Sequence, residues 1–384
     1  MKEHRMTLAI LLTNLFIAFL GIGLVIPVLP TIMNELHLSG SIVGNLVAAF
    51  AFAQLIVSPI AGKWVDKYGR KKIIIIGLLF FSASELLFGI GKTVEVLFVS
   101  RLLGGVSAAL IMPAVTAFIA DITTMETRSK ALGYMSASIS TGFIIGPGIG
   151  GFLAEIGPRL PFFSAAVLAL VSAVLSYITL REPERNEDEI DQKATGIRRV
   201  FTPMYFIAFM IIFLTSFSLA AFDSLFSLFV DHKFSFTPKD IAIAITGGAI
   251  VGAIAQVVLF DWLTKHLGEI GLIRYSLIFS VFLVYLMTVV SSYTNILLVT
   301  IFLFVGFDLI RPAITSYLSK IAGKEQGFVG GMNSMFTSIG NILGPVIGGI
   351  LFDVNLNYPF YFSSLFLIVG VMLAIFWKRP TQLS

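Results

Sequence analysis

Long apolar runs broken by short polar ones make up nearly the whole chain. A helix needs about 20 apolar residues to cross a hydrocarbon core. Twelve runs reach that scale: residues 7–30, 41–62, 73–91, 95–120, 131–155, 161–180, 200–230, 239–262, 271–290, 295–319, 328–352 and 358–377. They are called spans 1 to 12 below. In lipid the backbone must satisfy its own hydrogen bonds, so each run predicts a helix. The first run follows Lys2 and Arg5, as a secretory leader would, but it stays apolar to Pro30 without a small-residue cleavage site. It therefore reads as an uncleaved first helix.

The connections are too short for a large soluble domain. The longest polar stretch, 181–199, begins REPERNEDEIDQK and separates six spans from six. The expected organisation is a six-helix bundle over 1–180, a cytoplasmic linker over 181–199, and a second six-helix bundle over 200–384. Lys and Arg set the orientation. With the N-terminus on side one, that side holds 20 of the 26 basic residues, and the opposite loops hold only Lys92, Arg159, Lys233 and Lys239. Both termini are thus expected in the cytoplasm of a bacterial-type inner membrane. An even number of spans requires the termini to share a side, which agrees.

The two halves repeat. Residues 142–153, GFIIGPGIGGFL, match 340–351, GNILGPVIGGIL, at an offset of 198; the same offset pairs Pro161-Phe162 with Pro359-Phe360 and Gly133 with Gly331, and an offset of 199 pairs Pro113-Ala114 with Pro312-Ala313. Six-span repeats of one orientation mark halves related by an axis along the membrane normal, a property of alternating-access transporters.

Composition supports lipid as the main solvent: 57% of residues are hydrophobic and 12% are charged, against about 25% charged in soluble domains. There is no Cys, and the four His show no metal-binding spacing, which removes thiol chemistry and points away from a metal site. There is no GxxxxGK[ST] loop, which argues against an ATP-driven pump. No nucleophile–base pair suggests an enzyme, and no signalling domain suggests a receptor. The excess positive charge is read as membrane topology, with no nucleic-acid partner.

Five features carry candidate chemistry. The first is GKWVDKYGRKK between spans 2 and 3, with Gly62, Asp66, Gly69, Arg70 and Lys71 in a Gly-x-x-x-Asp-x-x-Gly-Arg-Lys frame. Its glycines permit helix ends and a tight turn, and Asp66 can pair with a base or sit at a helix N-terminus. The second is span 5, where Gly142, Gly146 and Gly150 line one helical face beside Pro147 and Gly151. A face without side chains lets a neighbouring helix approach closely.

The third feature is Arg101 in span 4, read either as a membrane-depth charge with a role or as a snorkelling residue near a helix end. The fourth is the set of acids Glu85, Asp223 and Asp308, each interrupting an apolar run. A carboxyl group in a low-dielectric cavity can bind and release a proton near neutral pH. Glu85 also fits helix packing, and Asp308 also fits a structural ion pair with Arg311 three residues on. The fifth is a set of residues on expected cavity-lining helices: Phe19, Phe50, Gln54, Phe143, Phe304, Phe307 and Asn341. Aromatic faces near a carboxylate suit a lipophilic cation; the alternative for any one Phe is to face lipid.

The 62–72 loop resembles the signature loop of the major facilitator superfamily, and 260–269, FDWLTKHLGE, resembles a decayed second copy with Asp261 and Gly268 as remnants. Span 5 resembles the antiporter motif of the exporters in that superfamily. LGIGLVIPVLP (20–30), GYMSA (133–137), GPGIGGF (146–152), TPKDIAIAITGG (237–248) and GFDLIRPAIT (306–315) extend the likeness over the chain, to the NorA/Bmr-type branch of multidrug–proton antiporters. The resemblance implies an all-α membrane protein of the major facilitator fold, with twelve transmembrane helices in two pseudo-symmetric bundles across a central cavity. It also implies proton coupling through Asp223, Asp308, Arg311, Arg101 and Glu85, no cofactor, amphipathic and often cationic substrates, and a monomer surrounded by lipid. The rival with the same fold is a proton-coupled symporter, or a narrow-substrate exporter, for a sugar or metabolite.

Overall fold

A computed structural model describes residues 2–183, 203–322 and 326–377. Every regular element among them is helical, and eleven helices are long and apolar enough to cross a membrane. The eleventh and twelfth expected spans are both present, so the count turns on one helix. Pro238–Val289 runs for 52 residues, about 78 Å at 1.5 Å per residue, while a hydrocarbon core is about 30 Å thick. At Gly268 its backbone leaves the helical region (φ 70°, ψ 167°). Spans 8 and 9 therefore lie on either side of Gly268, giving twelve crossings.

Span 1 is also interrupted. The helix Lys2–Val25 passes through a 3₁₀ turn, Ile26–Val28, into the helix Leu29–Glu35. Pro27 and Pro30 each lack a backbone donor, so the α-helical ladder cannot run through this stretch unbroken. The remaining helices are Gly40–Tyr68, Arg70–Ile90, Val94–Ile122, Met125–Ile156 and Leu160–Thr179 for spans 2 to 6, Pro203–Phe234 for span 7, and Tyr293–Ala322, Gln326–Val354 and Tyr358–Phe376 for spans 10 to 12. Most of the polar stretch 181–199 lies outside the described residues.

The chain forms two compact units. One holds 1–38, 49–190 and 236–246; the other holds 39–48, 191–235 and 247–384. In the first, span 1 packs on spans 5 and 6, and span 3 packs on spans 4 and 6. Its main core cluster is largely aliphatic, with Leu11, Leu15, Ile74, Leu78, Leu110 and Val115 around Phe118. In the second, span 7 packs on spans 11 and 12. Its interior is aromatic: Phe209, Phe217, Phe222, Phe226, Phe229 and Phe360 are all buried. Phe217 stacks on Phe366 with ring centroids 4.3 Å apart, and Phe229 meets Phe360 at 4.5 Å. These phenyl rings fill a protein interior and do not face lipid.

Candidate functional site

The 62–72 loop is short because most of it is helix. Span 2 runs to Tyr68, so Gly62 lies inside a helix and forms no turn. The turn falls on Gly69 alone, at φ 99° and ψ 154°, a conformation open in practice only to glycine. Span 3 begins at the next residue. There Arg70, nearly buried, pairs with Asp121 of span 4 at 2.8 Å and with Asp66 one turn back at 3.3 Å, and donates to the Val65 carbonyl at 3.1 Å. A cation at a helix N-terminus opposes the helix dipole. Glu182, just beyond span 6, offsets this: its carboxylate accepts from the backbone N–H of Arg70 and, at 3.0 Å, of Lys71. Lys71 extends its ammonium over the Tyr177 ring, 5.4 Å from the centroid.

The span 5 glycines divide between two neighbours. A side chain at Gly142 or Gly146 would run into the span 1 backbone from Phe16 to Gly23, and one at Gly150 would run into Leu24. Gly151 faces the other way, against Pro238 and Ala242 at the start of span 8. Pro147 lies within the helix and touches Gly23. The second unit repeats the arrangement: Gly340, Gly344 and Gly348 abut span 7 between Phe213 and Leu225. Both stripes thus serve close helix contact on one face.

Glu85 and Arg101 meet between spans 3 and 4. Their charges approach to 3.5 Å, with Glu85 buried and the Arg101 side chain only 16% exposed. The guanidinium also covers the Phe88 ring at 4.3 Å, so Arg101 does not reach out to an interface. The register is set by neighbouring serines. Ser84 Oγ donates to the Ser100 carbonyl at 2.7 Å, Ser100 Oγ donates to the Ser84 carbonyl at 2.8 Å, and Ser107 Oγ donates to Gly77 at 2.7 Å. Among the described residues, Glu85 Oε2 and Arg101 Nε and Nη2 have no hydrogen-bond partner. A buried ion pair with spare polar atoms is costly to keep and can exchange partners when its surroundings change.

Asp223 and Asp308 come together in the second unit. Residues 221–230 of span 7 are buried except Asp223, which continues a partly accessible face formed by Ser216, Leu219 and Ala220. Asp308 of span 10 lies within electrostatic reach of Asp223 and places its carboxylate against Gly252 of span 8. A side chain at position 252 would occupy the carboxylate's place. Arg311 acts on Asp308 electrostatically, but no ion pair within 4.0 Å joins them. The three residues therefore form a loose charged group and not a closed bridge.

The expected aromatic and amide residues distribute unevenly. Phe304 is half-buried, 6.1 Å from Phe222, and Phe307 is buried, 6.4 Å from the same ring. In the first unit Phe19 and Phe143 meet at 5.0 Å, and Phe143 is exposed. Nearby, Leu12, Thr13, Phe16, Tyr134, Ser138 and Thr141 line an open cavity of about 350 Å³ between spans 1 and 5. Phe50 packs on Gly104 and Gly105 of span 4, and the Gln54 backbone adjoins Gly105. Gln54 and Asn341 are both half-buried. No group of three or more metal-capable side chains occurs among the described residues.

Several polar contacts were not evident beforehand. Asn14 of span 1 is buried, donating to Ser176 Oγ at 2.8 Å and accepting from Ser172 Oγ at 2.6 Å. Its position as the eighth residue of the apolar span 1 was the available signal. Asp121 and Glu182 complete the Arg70 network, but their partners lie 51 and 112 residues away, beyond any spacing rule.

Two repeated helical units, a charged turn at Gly69 and acids at membrane depth define a secondary transporter fold. The model of the Major Facilitator Superfamily matches residues 11–307 and 208–384, and the chain belongs to that superfamily. Multidrug resistance protein 1 of Bacillus subtilis is 71% identical over 386 residues, covering 100% of this chain and 99% of the relative. Quinolone resistance protein NorA of Staphylococcus aureus is 45% identical over 372 residues, covering 96% of each. Among solved structures, a bacterial homologue of the human lysosomal transporter Spinster superposes with a TM-score of 0.86 at 15% identity, over 99% of this chain and 100% of that one. The nucleoside transporter NupG gives 0.79 at 14% identity, over 96% and 97%. The last two show the fold alone.

Proposed function

We propose that this multi-pass membrane protein exports amphipathic, often cationic drugs from the cytoplasm in exchange for protons, with both termini on the cytoplasmic side of the cell membrane. The observation that carries the reading is the pairing of Asp223 and Asp308 in one unit. Asp223 on span 7 lies within electrostatic reach of Asp308 on span 10, where the neighbouring rings of Phe222 and Phe307 are 6.4 Å apart, and neither acid closes an ion pair with a described residue. Such a group can hold a cation or protons, and taking up one weakens its hold on the other. Phe304, beside Phe222 and along the same span as Asp308, supplies an apolar, polarisable wall for a lipophilic cation. The names of the relatives, multidrug and quinolone resistance proteins, support the same substrate class.

The cycle needs no nucleotide. Protonation from outside discharges the acids and releases the drug; deprotonation to the cytoplasm restores the cation-binding state. Ethidium efflux from cells expressing the chain tests this. Efflux should stop when an uncoupler collapses the proton gradient. Asp223→Asn and Asp308→Asn, at equal membrane abundance, should each slow it more than about tenfold, a barrier increase of more than about 1.4 kcal/mol. Efflux at the normal rate from both variants would overturn the assignment.

A further inference from the structure

The second half contains a charge network in the position of the Arg70 network, with every sign reversed. At the offset of 199 that pairs Pro113 with Pro312, Asp66 corresponds to Lys265, Gly69 to Gly268, Arg70 to Glu269, and Asp121 to Lys320. The backbone agrees: Gly69 stands at φ 99° and ψ 154°, Gly268 at φ 70° and ψ 167°. In each half this glycine breaks the chain between two helices and the next residue opens the second one. The side chains agree as well. Arg70 at the start of span 3 pairs with Asp121 in the last turn of span 4. Glu269 at the start of span 9 pairs with Lys320 in the last turn of span 10, and Ser316 donates to Glu269 at 3.5 Å.

We infer that Glu269 and Lys320 are positioning residues for transport, holding span 9 onto span 10 as Arg70 and Asp121 hold span 3 onto span 4. The segment 260–269 is then not a remnant of the signature loop but a working copy in opposite charge. The inversion suits the helices. An acid at an N-terminus and a base in a last turn both lie with the helix dipole, so Glu269 needs no outside cap of the kind Glu182 provides for Arg70. Retention of the turn geometry and of the pair, with both of its charges exchanged together, is the mark of a kept interaction; independent drift would break the pairing. The effect on transport rests on the exporter reading above.

The test uses charge exchange and a label. Glu269→Lys sets two cations against each other, as does its counterpart Lys320→Glu with two anions; Glu269→Lys with Lys320→Glu restores a pair of the first half's polarity. In ethidium efflux each single variant should lower the maximal rate several-fold with an unchanged half-saturating concentration, and the double variant should recover most of it. Because the chain has no native Cys, Leu272→Cys gives a readout that needs no transport. Leu272 is buried one turn beyond Glu269. Its reaction with N-ethylmaleimide should speed up several-fold in each single variant and slow again in the double. Unchanged labelling in the singles, or fast labelling that persists in the double, overturns the inference. If the unaltered chain shows no ethidium efflux while labelling follows the pair, the exporter reading fails and the charge network stands.

Discussion

The two turns at Gly69 and Gly268 solve one geometric problem with opposite charges. In the first, a cation opens span 3 and an anion ends span 4, both against the helix dipoles. The arrangement holds because Arg70 is nearly enclosed, with side-chain exposures of 10% for Arg70 and 9% for Asp121, and because Glu182 caps the exposed N–H groups. In the second, each charge already suits its helix end, and Lys320 stands 59% exposed. The first turn depends on a distant carboxylate at the chain's exit from span 6; in the second, the acid at the turn is held by the last turn of span 10. A network that needs an outside partner can be released by moving that partner, whereas a self-contained one acts as a fixed clasp.

Removing the last-turn partner of each pair separates these characters most widely. Asp121→Ala strands a buried guanidinium with only the exposed Asp66 beside it, and breaking a buried pair costs about 3–5 kcal/mol. Lys320→Ala removes an exposed partner from Glu269, worth about 0–1 kcal/mol. Thermal unfolding in detergent should show a large loss for the first and a small one for the second. Equal losses would mean that burial does not distinguish the two clasps.

The turns themselves should differ less. Gly69→Ala and Gly268→Ala both force a side chain into backbone geometry that costs about 1–3 kcal/mol. At position 69 the new methyl would also meet the Glu182 carboxylate at 2.6 to 2.9 Å, so the cap must move. Gly69→Ala should therefore be the more damaging in melting temperature. Combining it with Glu182→Ala should add little, since the cap is already displaced. Full additivity would separate the cap from the turn.

Much of the fold was legible from the chain because the bilayer leaves few choices. Apolar length, Lys and Arg counts and the 198-residue repeat led to twelve crossings, and even the merged helix yields two once Gly268 is seen to break it. Asp223, Asp308, Glu85 and Arg101 stood out as charges in apolar runs. What sequence could not supply was partnership across helices. The reciprocal Ser84–Ser100 bonds that align Glu85 with Arg101, and the Asn14 bonds to Ser172 and Ser176, involve residues common in any membrane helix. The second clasp was hidden for a different reason: matching by residue identity finds Gly268 but treats Glu269 and Lys320 as mismatches, when physically they preserve the pairing of Arg70 with Asp121 by inverting both charges.

Glu182→Gln tests the dependence of the first turn on its cap more gently. The amide keeps an acceptor but loses the charge that opposes Arg70 and Lys71, and losses at helix caps run about 0.5–2 kcal/mol. A fall of that size confined to the first unit is expected, with Leu272→Cys labelling in the second unit unaffected.

Salt should sharpen the remaining contrast with the smallest effect. At about 1 M ionic strength the screening length falls to about 3 Å, and exposed charges barely interact. The Lys320–Glu269 pair is open to solvent on its Lys320 side, so the small penalty of Glu269→Gln should shrink toward zero as salt rises. Arg70 and Asp121 are shielded by the protein, and the penalty of Asp121→Ala should persist at every salt concentration. The comparison is between variants measured in the same buffer, so a general effect of salt on the fold cancels. Salt that erased both penalties would show the first pair to be as open to solvent as the second, and the functional difference drawn from their burial would then have no physical basis.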